Sequence, residues 1–447
     1  MPFVVVAGAP APTGPERERL AARLCPYTET LELVGGGDAS GAPPGVTLWA
    51  TASLARTGDV SAGRWTTPWP DGTAQVSLRI EGSGLLVETD PLGTCPLWIA
   101  RRGGGWVVSP EAKALAVLAP VHPRPDETLL ASGPRAPDWS PFEDVRRVPP
   151  GCALFITDRG VELRGKPRCF DTPRAPDDGD AARALGAALM TALPVSPSTT
   201  RATTGAFVSG GIDSSLACAL ARRQGPVASF TLGTDHGDEF PGARALADGL
   251  GCAPHEEVQL GRASLLERLD EVVFRNEVFD GLTAEILVQV SALADAAGAS
   301  CTRVVTGYGS DLLFDGMLRH AAYMQAVGLA TTADLIERTR WTGELSPFVT
   351  WSRGLSLQHV FWQPSVMDAA LSVPREACFV DGIEKHVLRR AAVDTGLLPD
   401  ALAWTPKIGL SDGTGAARAL SEALGIEGVH AYHQKSRHAL ARWKRLF

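Results

Sequence analysis

No stretch of the sequence holds the 18 or so consecutive apolar residues that a membrane-spanning helix needs, so no helical membrane span is expected. No long run of Lys and Arg occurs, and the formal net charge is −8. That argues against broad electrostatic binding to nucleic acid or to an anionic membrane. None of the eight cysteines falls in a C-x-x-C pair or at zinc-finger spacing. They read as small buried hydrophobes in a reducing cytoplasm, where the protein is expected to work. The start, Met1-Pro2-Phe3-Val4-Val5-Val6, has no basic leader and reads as a strand rather than a signal peptide. A G-x-x-x-x-G-K-[ST] phosphate loop is also missing. The stretch Gly35-Gly36-Gly37 has no strand–loop–helix context and reads as loop. Lysine is scarce beside arginine, which gives weight to any lysine near a motif.

What is present is the composition of a soluble globular chain, 45% apolar and 21% charged over 447 residues. That length allows two domains. Up to about residue 170 the pattern is of short strands and turns: Pro2–Ala7, Gln75–Ile80, Gly84–Glu88, Leu97–Ala100 and Trp106–Ser109. Asp90-Pro91-Leu92-Gly93 reads as a turn joining two of them. An antiparallel sheet domain is expected over 1–170. Residues 170–181 are polar, carry two prolines and read as a linker. A helix is expected over Ala181–Leu193, and from there strands and helices alternate through 182–447. Strands are expected at Thr204–Ser209, Val227–Leu232, Glu256–Leu260 and Arg303–Thr306, and helices at Ser215–Arg223, Ala243–Leu250 and Ile286–Ala297. This βαβ rhythm predicts an α/β fold, a parallel sheet with helices on both faces that binds ligands at the carboxyl ends of its strands.

The strongest motif is Ser209-Gly210-Gly211-Ile212-Asp213-Ser214-Ser215, which follows an apolar strand ending at Val208 and opens a helix. Two glycines let the backbone approach a phosphate, while helix-start amides and hydroxyls donate to it. Asp213 has the wrong charge for a phosphate unless a cation lies between them, so Mg²⁺ is implied beside ATP. The motif matches the S-G-G-x-D-S loop of ATP pyrophosphatases, enzymes that release pyrophosphate. Leu232 and Gly233, ending the second strand of this sheet, are expected to contact adenine or ribose.

Taken with Thr306-Gly307-Tyr308-Gly309-Ser310-Asp311 and Thr405-Pro406-Lys407-Ile408-Gly409, this loop resembles the asparagine synthetase superfamily, and within it the β-lactam and carbapenam synthetases. The likeness spans nearly the whole chain and includes Asp90–Gly93, Glu111–Leu115, Glu344-Leu345-Ser346-Pro347 and Lys385–Arg389. It implies an N-terminal Ntn-hydrolase-like domain and a C-terminal ATP-pyrophosphatase-like domain. The resemblance places Asp213 and Asp311 on Mg²⁺, Lys385 on pyrophosphate, and Lys407 near the α-phosphate and the oxyanion. Val208, Ser209, Gly210, Gly211, Ser214 and Gly307 complete the nucleotide set. Asparagine synthetases usually carry an acid where this chain has Tyr308. β-Lactam synthetases pair a Tyr there with a Glu about 35 residues later, and Glu344 fits; the dyad is assigned to deprotonating the attacking amine. The chemistry asks for these types: cations for a leaving pyrophosphate, and a base for an amine that arrives as ammonium. Asp315-Gly316-Met317 departs from the family pattern, leaving the effect of Asp315 on the substrate pocket open.

Glutamine-dependent members use an N-terminal Cys as nucleophile. Removing Met1 here would expose Pro2, which has no thiol, and Cys25 lies too far along. The first domain is therefore expected to be an inactive glutaminase fold, and the amine to belong to the substrate. The leading expectation is ATP-dependent lactam formation through an acyl-adenylate, as in natural-product biosynthesis. The substrate is then a small amino-acid-derived molecule, and a homodimer is allowed. A lasso-peptide macrolactam cyclase acting on a peptide precursor, a ligase for an external amine, and a non-catalytic binding protein are the alternatives. The last is disfavoured by the intact Asp213, Asp311, Tyr308, Glu344 and Lys407.

Overall fold

The computed structural model describes residues 3–24, 31–35, 46–51, 64–66, 73, 75–170, 178–193, 203–316, 324, 328–405 and 410–447. Pro2, Cys25 and Lys407 lie outside the described residues.

The first part of the chain supplies β1 (Phe3–Ala7), β2 (Leu31–Gly35), β3 (Val46–Thr51), β4 (Arg64–Thr66), β5 (Val76–Glu81) and β6 (Gly84–Thr89). It continues with β7 (Trp98–Arg102), β8 (Gly105–Ser109), β9 (Val145–Arg147), β10 (Cys152–Thr157) and β11 (Gly160–Gly165). They form two antiparallel sheets, ordered β2-β3-β1-β8-β7-β9 and β11-β10-β6-β5-β4. Side chains alternate as a pleat requires: Cys152, Leu154 and Ile156 of β10 face inward while their neighbours are half-buried. Val5, Ile99 and Val108 of one sheet share a core with Leu78, Val87 and Leu154 of the other, so the sheets pack face to face. Helices α1 (Gly14–Leu24) and α2 (Ala112–Leu118) cover the opposite face of the first sheet through Leu20, Leu24 and Leu115. The expected turn at Asp90 is a buried one, in which the carboxylate accepts the amides of Leu92, Thr94 and Cys95 at 3.0–3.2 Å.

The second part is a parallel sheet of β12 (Thr204–Phe207), β13 (Val227–Thr234), β15 (His255–Gln259), β16 (Arg303–Thr306) and β17 (Ser356–His359), with the two-residue β14 (Gly237–Asp238) antiparallel on β13. The parallel order is β15-β13-β12-β16-β17. Every residue of β12, β13 and β16 is buried, as expected of strands covered on both faces. One face is covered by α3 (Asp178–Met190), α4 (Ile212–Arg222), α5 (Phe240–Leu250), α11 (Pro364–Leu371) and α12 (His386–Asp394). The other is covered by α6 (Arg262–Asn276), α7 (Gly281–Gly298), α10 (Phe348–Trp351), α13 (Ala416–Ala423) and α14 (Tyr432–Trp443). Between these runs lie α8 (Ser310–Leu313) and α9 (Thr332–Thr342).

Several bounds differ from the sequence expectation. Helix α4 starts at Ile212 rather than Ser215, because extended Gly211 is its N-cap and Ser215 already donates back to Gly211. Asp213 and Ser214 therefore sit on the first helical turn. The expected linker is shorter: Phe170 is in the core and α3 begins at Asp178. Helix α7 starts five residues before Ile286, where the Asp280 carboxylate caps the Thr283 amide at 2.9 Å. Helix α6 was not expected, although Leu265, Leu269, Val272 and Val273 repeat at helical spacing.

The two parts are joined tightly. The Glu277 carboxylate accepts the amides of Ala112 and Lys113 at the start of α2, and Ser346 donates to the Thr94 carbonyl. Phe142 stacks on Trp443 of α14 at 5.1 Å.

Candidate active site

From β12 the chain moves outward to β13 and β15; from β16 it moves the other way to β17. The strand order reverses between β12 and β16, and a crevice opens there beyond the carboxyl ends of the strands. The segments that leave these two strands are Val208–Gly211 and Gly307–Gly309, the two motifs singled out above.

The first loop is braced by its own hydroxyls. Ser214 Oγ accepts the Ser209 amide at 3.1 Å and donates to the Gly211 carbonyl, and Ser209 Oγ accepts the Gly211 amide. Gly210 has φ +81°, and a Cβ there would lie 2.5 Å from the Gly242 backbone. Gly307 is required by close approach: a Cβ would sit 2.2 Å from the Asp213 backbone. The ends of β12 and β16 can thus lie backbone to backbone, with the first turn of α4 at the base of the crevice.

Lys385 ties the two motifs together. It follows a short hairpin, β18 (Phe379–Val380) and β19 (Ile383–Glu384), and immediately precedes α12. Its ammonium lies 2.5 Å from Asp213 Oδ2, 2.7 Å from Asp311 Oδ1 and 2.6 Å from Ser310 Oγ, and the side chain is fully buried. Three donors meet three acceptors. Its backbone is left-handed, φ +55°. That conformation costs a non-glycine residue about 1–2 kcal/mol, so the surroundings hold it there. The ammonium stands where a cation bridging the two carboxylates would stand. Two hard oxygen ligands suit Mg²⁺, which takes one or two carboxylates and completes its shell with phosphate and water. The residues present therefore fit that ion.

Glu344 follows the C-terminus of α9 and is buried. Its Oε2 accepts from Thr283 Oγ1 at 3.1 Å and from Arg338 Nη1 at 3.2 Å. Burial, and then the Asp280 carboxylate, push Glu344 up to about 8. The Thr283 hydroxyl bond pulls the other way, and the adjacent Arg338 guanidinium favours the ionised form. Tyr308 is half-buried, its ring 5.7 Å from that of His359. His359 is held neutral, pushed down to about 3 by burial, and bonds Thr306 Oγ1 at 2.6 Å.

One cleft joins these groups. It is lined by Val208, Ser209, Asp213, Ser214, Leu232, Gly307 and Asp311 together with Tyr308, Glu344, Ser346 and His359. Ile286, Leu287, Val290 and Leu293 of α7 add apolar side chains to its lining. The expected residues Gly210, Gly211, Gly233 and Lys385 do not line it. Tyr308 and Glu344 share the cleft, but among the described residues Glu344 bonds Thr283 and Arg338 rather than Tyr308. Asp315 pairs with Arg375 at 3.1 Å and does not line the cleft. Arg338, Thr283, Asp280 and His359 were not singled out from the sequence, where each is an ordinary residue of a helix or strand end with no motif around it.

A glycine-rich loop, two carboxylates, a buried lysine and a buried glutamate around one crevice suit nucleotide-dependent acyl chemistry, and known proteins fit that class. The carboxyethyl-arginine beta-lactam-synthase of Streptomyces clavuligerus is 30% identical over 390 residues, which are 81% of this chain and 73% of that protein. Glutamine-hydrolyzing asparagine synthetases of Pongo abelii and Homo sapiens are 32% and 31% identical over 226 residues, 47% of this chain and 39% of each relative. An NMN synthetase structure from Francisella tularensis overlaps 61% of this chain and 96% of its own at 13% identity, with a TM-score of 0.24, too low to bear on the fold. The asparagine synthase family pattern matches residues 198–346 and 349–426. The protein is an ATP-dependent amide-forming ligase. It belongs to the asparagine synthase family.

Proposed function

We propose that the enzyme closes a lactam, joining a carboxylate and an amine of one small amino-acid-derived substrate, as a β-lactam synthetase does. The observation that carries this reading is one cleft lined both by the phosphate loop with its carboxylates and by Tyr308 with Glu344. The substrate carboxylate attacks the α-phosphorus of ATP and pyrophosphate leaves, giving an acyl-adenylate. The amine then attacks the acyl carbon, the amide bond forms, and AMP leaves. The first turn of α4 and the Ser209 and Ser214 hydroxyls bind phosphate oxygens. Lys385 moves its ammonium onto the departing pyrophosphate, and Lys407, by resemblance, serves the oxyanion. Asp213 and Asp311 would hold Mg²⁺, which would supply charge neutralisation at the phosphates. Tyr308 takes the amine proton and relays it to Glu344. Residues 1–170 act as a glutaminase-like domain that supplies no ammonia and support the synthetase part, 182–447.

The test uses carboxyethyl-arginine as probe, followed by other N-carboxyalkyl amino acids, with ATP and Mg²⁺. AMP and pyrophosphate are the expected products; ADP and phosphate would sink the adenylate reading. Tyr308→Phe and Glu344→Gln should still exchange labelled pyrophosphate into ATP while ring closure slows on the order of 10²–10⁴-fold. Loss of exchange in either variant would move that residue to the activation half and leave a generic adenylating ligase.

A further inference from the structure

We propose that Arg338 is a positioning residue that favours the ionised form of Glu344 and fixes the orientation of its carboxylate at the cleft. The proposal rests on the Tyr308–Glu344 reading above for its catalytic meaning, and on geometry for its substance. Four side chains form a closed ring. Arg338 reaches Glu344 Oε2 through Nη1 at 3.2 Å and Asp280 Oδ1 through Nη2 at 2.5 Å. Asp280 Oδ1 also accepts the Thr283 amide at 2.9 Å, and Thr283 Oγ1 donates to Glu344 Oε2 at 3.1 Å. The start of α7 and the end of α9 are thereby locked on one carboxylate oxygen. Oε1 takes no part in the ring, and Glu344 lines the cleft together with Tyr308.

The ring is deep. Side-chain exposure is 5% for Arg338, 3% for Glu344 and 18% for Asp280. Two carboxylates and one guanidinium therefore share a dry site, where a lone ionised glutamate would take up a proton. A protonated Glu344 cannot accept a proton from Tyr308. Arg338 offsets both the burial and the repulsion from Asp280, and its planar fork holds two carboxylates in fixed directions, which an ammonium cannot do. The other groups that face Glu344 do not replace it. Thr283 is neutral, His359 is held neutral by burial, and Tyr308 is the proton donor itself. Asp213 and Asp311 already face Lys385. Arg135 acts on Asp280 from behind and lies over the Trp341 ring.

The experiment reads Glu344 directly, in the full-length protein without substrate. Its carboxyl infrared band, isolated as the difference from Glu344→Gln, is titrated against pH. Arg338→Gln should raise the titration midpoint by about one pH unit or more. Asp280→Asn removes a like charge and frees Arg338 for Glu344, so it should lower the midpoint; Arg338→Lys should fall between wild type and Arg338→Gln. Opposite shifts from two members of one ring are not what loosened packing would give. An Arg338→Gln midpoint equal to wild type, or shifts of the same sign in both variants, would overturn the proposal. If Arg338→Gln does not fold, the Asp280→Asn and Arg338→Lys midpoints decide it. Ring closure of carboxyethyl-arginine should then follow the same order, its acid limb moving with the midpoint while pyrophosphate exchange stays put. Midpoints that shift as expected without any effect on ring closure would uphold the clamp and refute the dyad.

Discussion

Replacing Lys385 with Met removes the ammonium that lies between Asp213 and Asp311 while keeping an unbranched side chain of similar length. In the wild-type protein the ammonium lies 2.5 and 2.7 Å from the two carboxylates and is fully buried. Breaking a buried pair by deleting one partner costs about 3–5 kcal/mol, because a charge is left in a dry place. Asp213 is 14% exposed and Asp311 38% exposed, so Asp311 can recover water and the loss should fall at the low end, about 3 kcal/mol. The freed carboxylates then become a better cation site. A ligand at tenfold excess over its Kd stabilises by about 1.4 kcal/mol. Thermal melts with and without MgCl₂, in the absence of ATP, read both effects: the variant should melt lower than wild type and regain part of the difference with Mg²⁺. Wild type should respond less, since its own ammonium competes for the same oxygens. The reasoning fails if the variant melts with wild type in the absence of the ion, or if Mg²⁺ raises both proteins equally.

Three further outcomes are expected. Lys435 and Glu285, 1% and 0% exposed, pair at 2.5 Å between α14 and α7; Lys435→Met should cost about 3–5 kcal/mol in urea unfolding, and Lys435→Met with Glu285→Gln should recover part of it. Glu271, bonded to Arg353, Ser291 and Arg275, is lowered from 4.5 to about 2. A depressed carboxylate stabilises above its unfolded value, so Glu271→Gln should cost about 3 kcal/mol at pH 7, a gap that closes as pH falls from 4.5 towards 2 and is read by melts across that range. Added glutamine should release no glutamate above background; glutamate release would reject the proposal that residues 1–170 are an inactive glutaminase-like domain.

The site was legible where its logic is local. Ser209 to Ser215 are seven consecutive residues on a strand, a turn and a helix start, so type, order and context can be read together. Tyr308 and Asp311 follow a strand whose bounds, Arg303–Thr306, were as expected. The parallel sheet was legible for the same reason: its central strands are short, largely apolar segments between helices of regular period. What could not be read is who holds whom. Lys385 reaches Asp213 across 172 residues, and Arg338 reaches Asp280 across 58. Neither spacing has a period that sequence can express. The first part of the chain was read only in part because its sheets are antiparallel and closed by distant pairs, such as β1 with β8, whose partners are fixed by the sandwich and not by neighbours in sequence.

Glu344 shows why this division matters for chemistry. As a residue type at a spacing, it could be assigned a role as a base. Whether it can act as one depends on its ionisation, which burial opposes and Arg338 restores. Arg338 sits on the buried side of α9 between Glu337 and Thr339, with nothing around it to set it apart from a surface arginine. An arginine there reads as a helix former, and only the fold turns it inward to face two acids. The proposed base is thus specified twice: by an identity visible in the sequence, and by an electrostatic setting that exists only once α7 and α9 have met.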